Sequence, residues 1–296
     1  MPPEDNEHSS GTLPPDVLSN LPEKLIDAIL VCLPLRDAVR TSILSEKWRC
    51  NWCRLPALTL DQALWDTTNN LTPDLVTRFT YIIYHLLALH VGPITKFTLS
   101  IVSMGNYLHI DYLISFLSKN GIQHLVLQFP KYKSYKLPSS FFTCSQMRYL
   151  SLRNCSIKPP STFKGFSELV SLELYEVTIS SEMLVMIFLY LLYIDYVALN
   201  ELLFPVPDDV VNEIPSSFSD VTFSHLRSVK FEGITGKKPE MEIVKLLLAK
   251  SPMLVRMLIQ PNKENGSVET RLKVLTEITK FPRASPKAEV VYNSGV

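Results

Sequence analysis

The sequence predicts an α/β chain with a short helical segment first, then a stack of strand-containing repeats, and then a compact module of helices and a strand. Three observations predict this organisation. An apolar-x-x-apolar-x-apolar pattern recurs through the middle of the chain. The segments between its copies carry helical periodicity or Pro-rich turns. A dense apolar stretch with two Leu-Pro pairs precedes them at residues 21–49.

The composition restricts the classes of function. Apolar residues make up 46% of the 296-residue chain, so a sizeable core can be buried. The 29 basic and 29 acidic residues balance, without the positive excess that nucleic-acid binders use. The five cysteines are odd in number and scattered, and residues 1–15 are polar and Pro-rich without an apolar signal region. We expect a disordered 1–15 segment and an intracellular protein that binds neither nucleic acid nor membrane.

Residues 21–49 predict three short helices. Pro22 suits a first helical turn, Pro34 ends that helix, Asp37 can cap the second and Ser45 the third. The first helix carries an apolar face, and the third carries two tryptophans: Leu25, Ile26, Ile29, Leu30 and Leu33, then Trp48 and Trp52. About forty residues cannot hide this apolar content among themselves. The surplus surface is expected either to bind a partner protein or to pack on the following domain as a cap.

The middle of the chain repeats. After a polar connector at 61–74 and an amphipathic helix predicted at 75–90, seven copies of the apolar pattern begin 22–32 residues apart. This spacing is close to the period of leucine-rich repeats. The copies are "ITKFTL" (94), "IQHLVL" (122), "MRYLSL" (147), "LVSLEL" (169), "IDYVAL" (194), "LRSVKF" (226) and "LVRMLI" (254). We predict a curved solenoid with a concave strand face, the alternative being an ordinary mixed α/β domain.

The linking segments and the C-terminal part also follow clear patterns. A helix is predicted at 110–121 with Gly121 as its stop, and the apolar run 183–194 is too short to cross a membrane and predicts a buried helix. Helices at 239–252 and 268–282 and a strand at 287–292 form the C-terminal module. In the second of these helices, Leu272, Leu275 and Ile278 are expected on one face.

Catalytic motifs are missing from the sequence. "CNWC" at 50–53 is the one pair that suggests redox chemistry or zinc, but it lies in or after a predicted helix rather than at a helix start, and no second ligand pair has suitable spacing. Cys155 occupies the Asn-or-Cys position of its repeat, so we expect its thiol in the core. The sequence has no H-E-x-x-H, no G-x-S-x-G and no Gly-rich phosphate loop. We therefore expect a non-catalytic protein without cofactor or metal.

At this point the chain resembles a known family. "LPEKLIDAILVCLPLRDAVRTSILSEKWRCNW" is similar to the F-box motif, and the repeats are similar to those of plant F-box proteins with leucine-rich repeats. The segments "VKLLLAKSPML" and "TRLKVLTEITKFPRASPKAEVVY" resemble the FBD module of that family. The resemblance implies an F-box at 16–60, a linker helix and repeats at 61–215, and an FBD-like module at 216–293.

The resemblance also implies a function. Such proteins are substrate-receptor subunits of Skp–cullin–F-box ubiquitin ligases in the nucleus or cytoplasm, where the F-box binds a Skp-type adaptor, and through it cullin, and the repeats bind a protein target. On that pattern the residues at or just under the adaptor surface are Leu21, Pro22, Ile26, Ile29, Leu30, Leu33, Pro34, Ala38, Leu44, Ser45, Trp48 and Arg49. The alternative is a repeat protein that binds a partner without any ligase. Residues 183–215 depart from the family pattern, so the repeats look shortened and this segment is expected to be a poorly matched junction.

Overall fold

The computed structural model describes residues 17–61, 64, 75–101, 109–131, 134–189, 191, 193–204, 221–262 and 268–293. The predicted disordered segment 1–15 and nearly all of the connector 61–74 lie outside these residues. The chain divides into two compact units, Met1–Leu55 and Pro56–Val296. We call them the first unit and the repeat unit and describe each by itself.

The described residues 17–55 of the first unit form two α-helices and two 3-10 turns. Helix α1 spans Glu23–Cys32 and helix α2 spans Leu35–Arg40, followed by 3-10 turns at Thr41–Ile43 and Asn51–Arg54. The buried side chains of the helices face inward, and both helices contact the second 3-10 turn. Two of the three expected helices are therefore present.

The expected third helix starting at Ser45 is wrong. Residues 46–50 form hydrogen-bonded turns, and the Ser45 hydroxyl oxygen has no hydrogen-bond partner in the described part of the chain. The physical reason is tertiary: the Trp48 indole is buried and its Nε1 donates to the Leu18 carbonyl at 3.0 Å. A short isolated helix is too marginal to compete with such a contact.

The helix caps also differ from expectation. Pro22 occupies the N-cap position of α1 instead of lying in its first turn. Helix α1 ends at Cys32, just before Pro34, as expected, and Pro34 is also the N-cap of α2. Asp37 lies inside α2, where its carboxylate is 3.5 Å from Arg40. A proline at the N-cap fixes the φ angle at which the chain enters the helix, and neither helix has a side-chain cap hydrogen bond.

The repeat unit contains a single nine-stranded sheet whose strands are all parallel and follow one another in chain order. All seven predicted copies of the apolar pattern form strands. The strands of this sheet are β1 Ala57–Leu60, β2 Lys96–Ser100, β3 His124–Gln128, β5 Tyr149–Arg153, β7 Ser171–Tyr175, β8 Tyr196–Asn200, β9 Ser228–Ile234, β10 Arg256–Pro261 and β11 Glu289–Tyr292; two short strands, β4 Tyr135–Lys136 and β6 Cys155–Ser156, pair with each other. Sequential parallel strands are what stacked repeats produce.

The first strand, β1, was not predicted from the sequence. Residues 55–60, "LPALTL", carry the same apolar pattern, and β1 pairs in parallel with β2 from Ala57 opposite Lys96 to Leu60 opposite Leu99. The F-box predicted at 16–60 includes this strand, which the division into compact units assigns to the repeat unit.

The register of the sheet explains the apolar pattern. Phe97, Leu125, Leu150, Leu172 and Val197 lie opposite one another on successive strands, and all are buried. The last apolar position of each copy forms a second buried row, from Leu99 to Ile259. Each strand therefore buries its alternate side chains against the same core, which no single repeat could complete alone.

The chain turns in the same way after several strands. Asn154, Glu176 and Glu201 directly follow β5, β7 and β8, and each has a positive φ of 45–56°. Gly233 at the equivalent position of β9 has φ 71°, and a Cβ there would lie 2.4 Å from the Glu201 side chain. The Asn154 side-chain amide donates to the Phe129 carbonyl at 2.7 Å and ties this turn to the preceding repeat.

Helices fill the other side of several repeats. Helix α3 spans Leu75–Leu89, α4 spans Ile110–Lys119 and α5 spans Ser181–Leu189, close to the three helices expected there. Gly121 follows α4 with φ 70°, as expected of a helix stop. Strand β8 lies in register between β7 and β9, so the first part of the expected junction 183–215 is a regular repeat. Residues 205–215 lie outside the described residues.

The C-terminal part continues the same sheet. Helix α6 spans Lys238–Lys250, α7 spans Val268–Thr279, and β11 pairs in parallel with β10, as the helix and strand patterns predicted. The expected face of α7 is wrong in part. Ile278 is buried together with Val274, whereas Leu272 and Leu275 are exposed. The two buried residues are four positions apart, whereas the predicted face combined residues three positions apart.

One buried carboxylate organises the start of α6. An oxygen of Glu240 accepts hydrogen bonds from three backbone N–H groups and one hydroxyl, at 2.9–3.1 Å: Thr235 N, Thr235 Oγ1, Gly236 N and Lys237 N. Burial raises the pKa of Glu240, and these hydrogen bonds oppose the rise. The carboxylate therefore fixes the loop that joins β9 to α6.

We expect Glu240→Ala to lower the free energy of unfolding of the repeat unit by about 1–3 kcal/mol, because four donors of a partly buried loop lose their acceptor. Urea denaturation followed by circular dichroism measures the loss. Glu242→Ala on the same helix is the matched control, since Glu242 makes only a partly exposed 3.8 Å ion pair with Lys245, and it should change stability by less than about 0.5 kcal/mol. Equal effects of the two substitutions would contradict the role given to Glu240.

Candidate functional site

The structure separates the twelve predicted adaptor-binding residues of the first unit into three groups by exposure. Buried residues are Ile26, Leu30, Ala38 and Trp48; partly buried residues are Leu21, Leu33 and Ser45; exposed residues are Pro22, Ile29, Pro34, Leu44 and Arg49. The buried group forms the core of the unit. Only the other two groups present atoms that a partner could touch.

The buried group has a clear structural role. Ile26 and Leu30 lie one turn apart on α1, Ala38 lies on α2, and all three are fully buried. Trp48 holds the segment after α2 through its bond to the Leu18 carbonyl. These side chains form the core that positions the exposed residues around them, which agrees with a place just under the predicted adaptor surface.

Several exposed apolar side chains of the first unit were not among the twelve predicted adaptor-binding residues. Ile43 is 87% exposed, Val31 is 61% exposed and Leu25 is 51% exposed, and Val39 is also exposed. A signal was available: Leu25 and Ile29 are four residues apart on α1, and so are Val39 and Ile43 after the start of α2. We use the name apolar surface for the exposed side chains of Leu25, Ile29, Val39, Ile43 and Leu44.

Charged pairs also lie on the exposed part of the first unit. Arg40 is 3.5 Å from Asp37, and Arg54 is 3.7 Å from Asp27, all four side chains being about half exposed. Exposed apolar side chains accompanied by partly exposed charges are typical of a protein–protein contact, where apolar groups supply affinity and rim charges supply orientation. The chemistry that this surface supports is therefore association.

The environment of Cys53 is unlike that of a reactive thiol. Cys50 is exposed, whereas burial and the neighbouring Cys50 raise the pKa of the Cys53 thiol. A redox pair needs the opposite shift. Among the residues that the structure describes, no group of three His, Cys, Asp or Glu side chains could hold a metal ion. Cys155 is fully buried, as expected, and burial raises its pKa to about 12.

The repeat unit offers a second candidate surface, on the side of the sheet opposite the core. We call it the open face and define it by the outward residues of the four central strands: Tyr149, Ser151 and Arg153; Ser171, Glu173 and Tyr175; Tyr196, Ala198 and Asn200; Ser228, Lys230 and Glu232. In each strand, two of these residues occupy variable positions inside the apolar pattern, and the third directly follows the pattern. The side to which those positions point follows only from the strand register.

Glu173 lies at the centre of the open face. Its carboxylate accepts a hydrogen bond from the Tyr149 hydroxyl at 2.9 Å. Burial and this hydrogen bond raise the pKa of Tyr149 to about 12, and burial together with the negative charge of Glu173 raises the pKa values of Tyr175 and Tyr196. The negative charge of Glu173 thus acts on the pKa values of three tyrosines, Tyr149, Tyr175 and Tyr196.

The flanks of the open face are occupied by internal pairs. The Lys230 ammonium lies 2.7 Å from Glu232, which also accepts from the Asn200 amide at 2.9 Å. Burial acts to raise the pKa of Glu232, but these two partners outweigh it and the pKa is lowered. On the other flank, the Arg153 guanidinium lies 4.9 Å from the centre of the Tyr175 ring.

Comparison with known protein families gives two matches. Residues 18–58 match the F-box domain, and residues 86–202 match the family described as At1g61320/AtMIF1, LRR domain. The first match covers the residues of the apolar surface, and the second covers strands β2 to β8. Within the part of the chain that the structure describes, no helix combines the length and apolar character that a membrane crossing requires.

Similar proteins carry both modules in their names. The chain is 39% identical over 170 residues to the F-box/FBD/LRR-repeat protein At1g13570 of Arabidopsis thaliana, covering 57% of this chain and 40% of that protein. It is 32% identical over 139 residues to the F-box/LRR-repeat protein At4g14103 of the same plant, covering 47% and 36% of the two chains. The chain therefore spans about two fifths of the length of the curated relatives it matches.

Proposed function

We propose that this chain, an F-box/leucine-rich-repeat protein of the plant type, is a substrate receptor of a Skp–cullin–F-box ubiquitin ligase. In this proposal the first unit binds a Skp-type adaptor, and through it cullin, while the repeat unit binds a protein target. The chain itself performs no covalent chemistry. Its place of action is the nucleus or the cytoplasm, where the other subunits and the target would be found.

The observation that carries the proposal is the coincidence of two features in the same residues. Residues 18–58 match the F-box domain, and F-box domains typically bind Skp-type adaptors. The same stretch exposes Leu25, Ile29, Val39, Ile43 and Leu44. A short unit with that much exposed apolar surface gains stability when a partner covers it.

The proposed mechanism is proximity. A receptor that holds a target and an adaptor at once turns ubiquitin transfer into an effectively intramolecular event, because the effective concentration of the target at the transferring enzyme rises. The covalent steps use a thioester cysteine of another subunit. The C-terminal strands β9 to β11 and helices α6 and α7 correspond to the expected FBD-like module, for which we propose a structural role in completing the end of the sheet.

Co-expression of the full chain with a Skp-type adaptor and cullin tests this proposal. Capture through a tag on this chain should retain the adaptor at equal amount, and should retain cullin only when the adaptor is present. A folded chain that retains neither protein would contradict the ligase role. It would leave the alternative of a repeat protein that binds a partner without a ligase.

A further inference from the structure

The register of the sheet gives Glu173 an unusual setting on the open face. Its neighbours on the adjacent strands are Ser151 on β5 and Ala198 on β8, which are small and buried. Larger side chains stand at the next positions, because Tyr149 precedes Ser151 by two residues and Tyr196 precedes Ala198 by two. Glu173 therefore lies between two small residues on the adjacent strands, and the tyrosines stand two positions before those small residues.

The charge of Glu173 is not balanced by a cation of its own. Among the described residues, the ion pairs of this face join Lys230 to Glu232, and none includes Glu173. Its hydrogen bond from Tyr149 is with a neutral hydroxyl. The negative charge of Glu173 contributes to the raised pKa values of Tyr175 and Tyr196, and the Lys230 ammonium opposes this rise.

One of the tyrosine rings, that of Tyr175, already contacts a cation of this chain. The Arg153 guanidinium lies 4.9 Å from the Tyr175 ring centre, within the range of a cation–π contact. A cation placed near these rings and the Glu173 carboxylate would be attracted both by the negative ring faces and by the negative carboxylate. The same arrangement disfavours an acidic group.

We propose that the open face binds a lysine or arginine side chain of an extended segment of the target protein, with the Glu173 carboxylate as its ionic partner and the Tyr149, Tyr175 and Tyr196 rings around it. The proposal rests on the proposed function only in taking the occupant to be a protein target. Neighbouring side chains of the target would lie along the open face, where Asn200 and Ser171 offer hydrogen bonds.

The charge complementarity favours this occupant over others. A phosphorylated segment would place its charge against Glu173 and Glu232, and a membrane surface would need a flat basic or apolar patch. A basic side chain meets the one carboxylate of the central open face that lacks an ion pair in the described structure. Immobilised peptides with a basic side chain are therefore the probes that test the proposal.

The experiment uses the full chain and four libraries of nine-residue peptides, degenerate except for a fixed central arginine, lysine, glutamate or norleucine. We expect the arginine and lysine libraries to retain at least about fivefold more protein than the other two. Glu173→Gln keeps an acceptor for the Tyr149 hydroxyl but removes the charge, and should abolish the preference. Tyr196→Leu should weaken it by a smaller factor.

Glu289→Gln on β11 is the matched control, because it removes the same charge from an exposed residue of the same sheet at a distance of four strands, and it should keep the preference. Equal retention of all four libraries by the native chain, or an unchanged preference in a folded Glu173→Gln variant, would overturn the proposal. Adaptor capture by the same variants distinguishes failure of the open-face proposal from failure of the proposed ligase role. A Glu173→Gln chain that still captures the adaptor shows that a result on the open face leaves the ligase role intact.

Discussion

An Ile43→Asp/Leu44→Asp variant is expected to lose binding to a Skp-type adaptor by about 100-fold or more while keeping its fold. Both side chains are exposed, at 87% and 46%, so placing carboxylates there costs little in the free chain. In a complex the two carboxylates would have to be buried without partners, and residues at the centre of an interface dominate its affinity. Titration of a labelled adaptor with native and variant chains measures the change.

Val268→Asp/Leu272→Asp is the matched control for this variant. These two side chains on α7 are also apolar and exposed, at 81% and 62%, but lie in the repeat unit. The control should bind the adaptor as the native chain does. If the control loses affinity as strongly as the Ile43/Leu44 variant, or if the latter binds normally, the adaptor does not use the apolar surface of the first unit.

Trp48→Ala is expected to destabilise the first unit by about 3–5 kcal/mol, the cost of removing a large buried aromatic side chain. Trp48 is 1% exposed, and its Nε1 donates to the Leu18 carbonyl. A unit of about forty residues has little stability to spare, so the backbone amides of α1 should lose protection from hydrogen exchange. Those of β5 and β7 in the repeat unit should stay protected.

The control for this loss is Leu25→Ala, because Leu25 lies on the same helix but is 51% exposed, and it should leave hydrogen exchange in α1 nearly unchanged. Adaptor affinity should fall in the Trp48→Ala variant through loss of the folded unit, without any direct contact by Trp48. Unchanged protection of α1 amides in Trp48→Ala would show that the tryptophan is not part of the core.

The repeats were predictable because two independent signals agree. Each strand must bury alternate residues, and neighbouring repeats must supply the same row, so the apolar pattern returns at a regular spacing and all seven copies are strands. The first strand carries the same pattern at Leu55, Leu58 and Leu60. It was missed because its distance from the next copy exceeds the repeat spacing and the F-box resemblance overlaps it.

The details of the first unit were less predictable. Leu25 and Ile26 are adjacent and equally apolar, yet Leu25 is exposed and Ile26 is fully buried. Periodicity alone allows a wide apolar face and cannot divide it between core and surface. The third helix failed for a related reason, since the contact between Trp48 and Leu18 is tertiary and has no local sequence signal.

The open face shows the same limit. Glu173 and its three tyrosines are separated by up to 47 positions, from Tyr149 to Tyr196, and come together through the parallel register of β5, β7 and β8. The pattern marks these positions only as variable. Only the register tells which of them are neighbours.

Calorimetric titration of the purified full chain with a purified Skp-type adaptor, at several temperatures, tests the central claim most directly. We predict one adaptor bound per chain and a negative heat-capacity change, because covering the exposed side chains of Leu25, Ile29, Val39, Ile43 and Leu44 removes apolar surface from water. A folded chain that takes up no adaptor would contradict the ligase account. Binding without a heat-capacity change would contradict the role of the apolar surface.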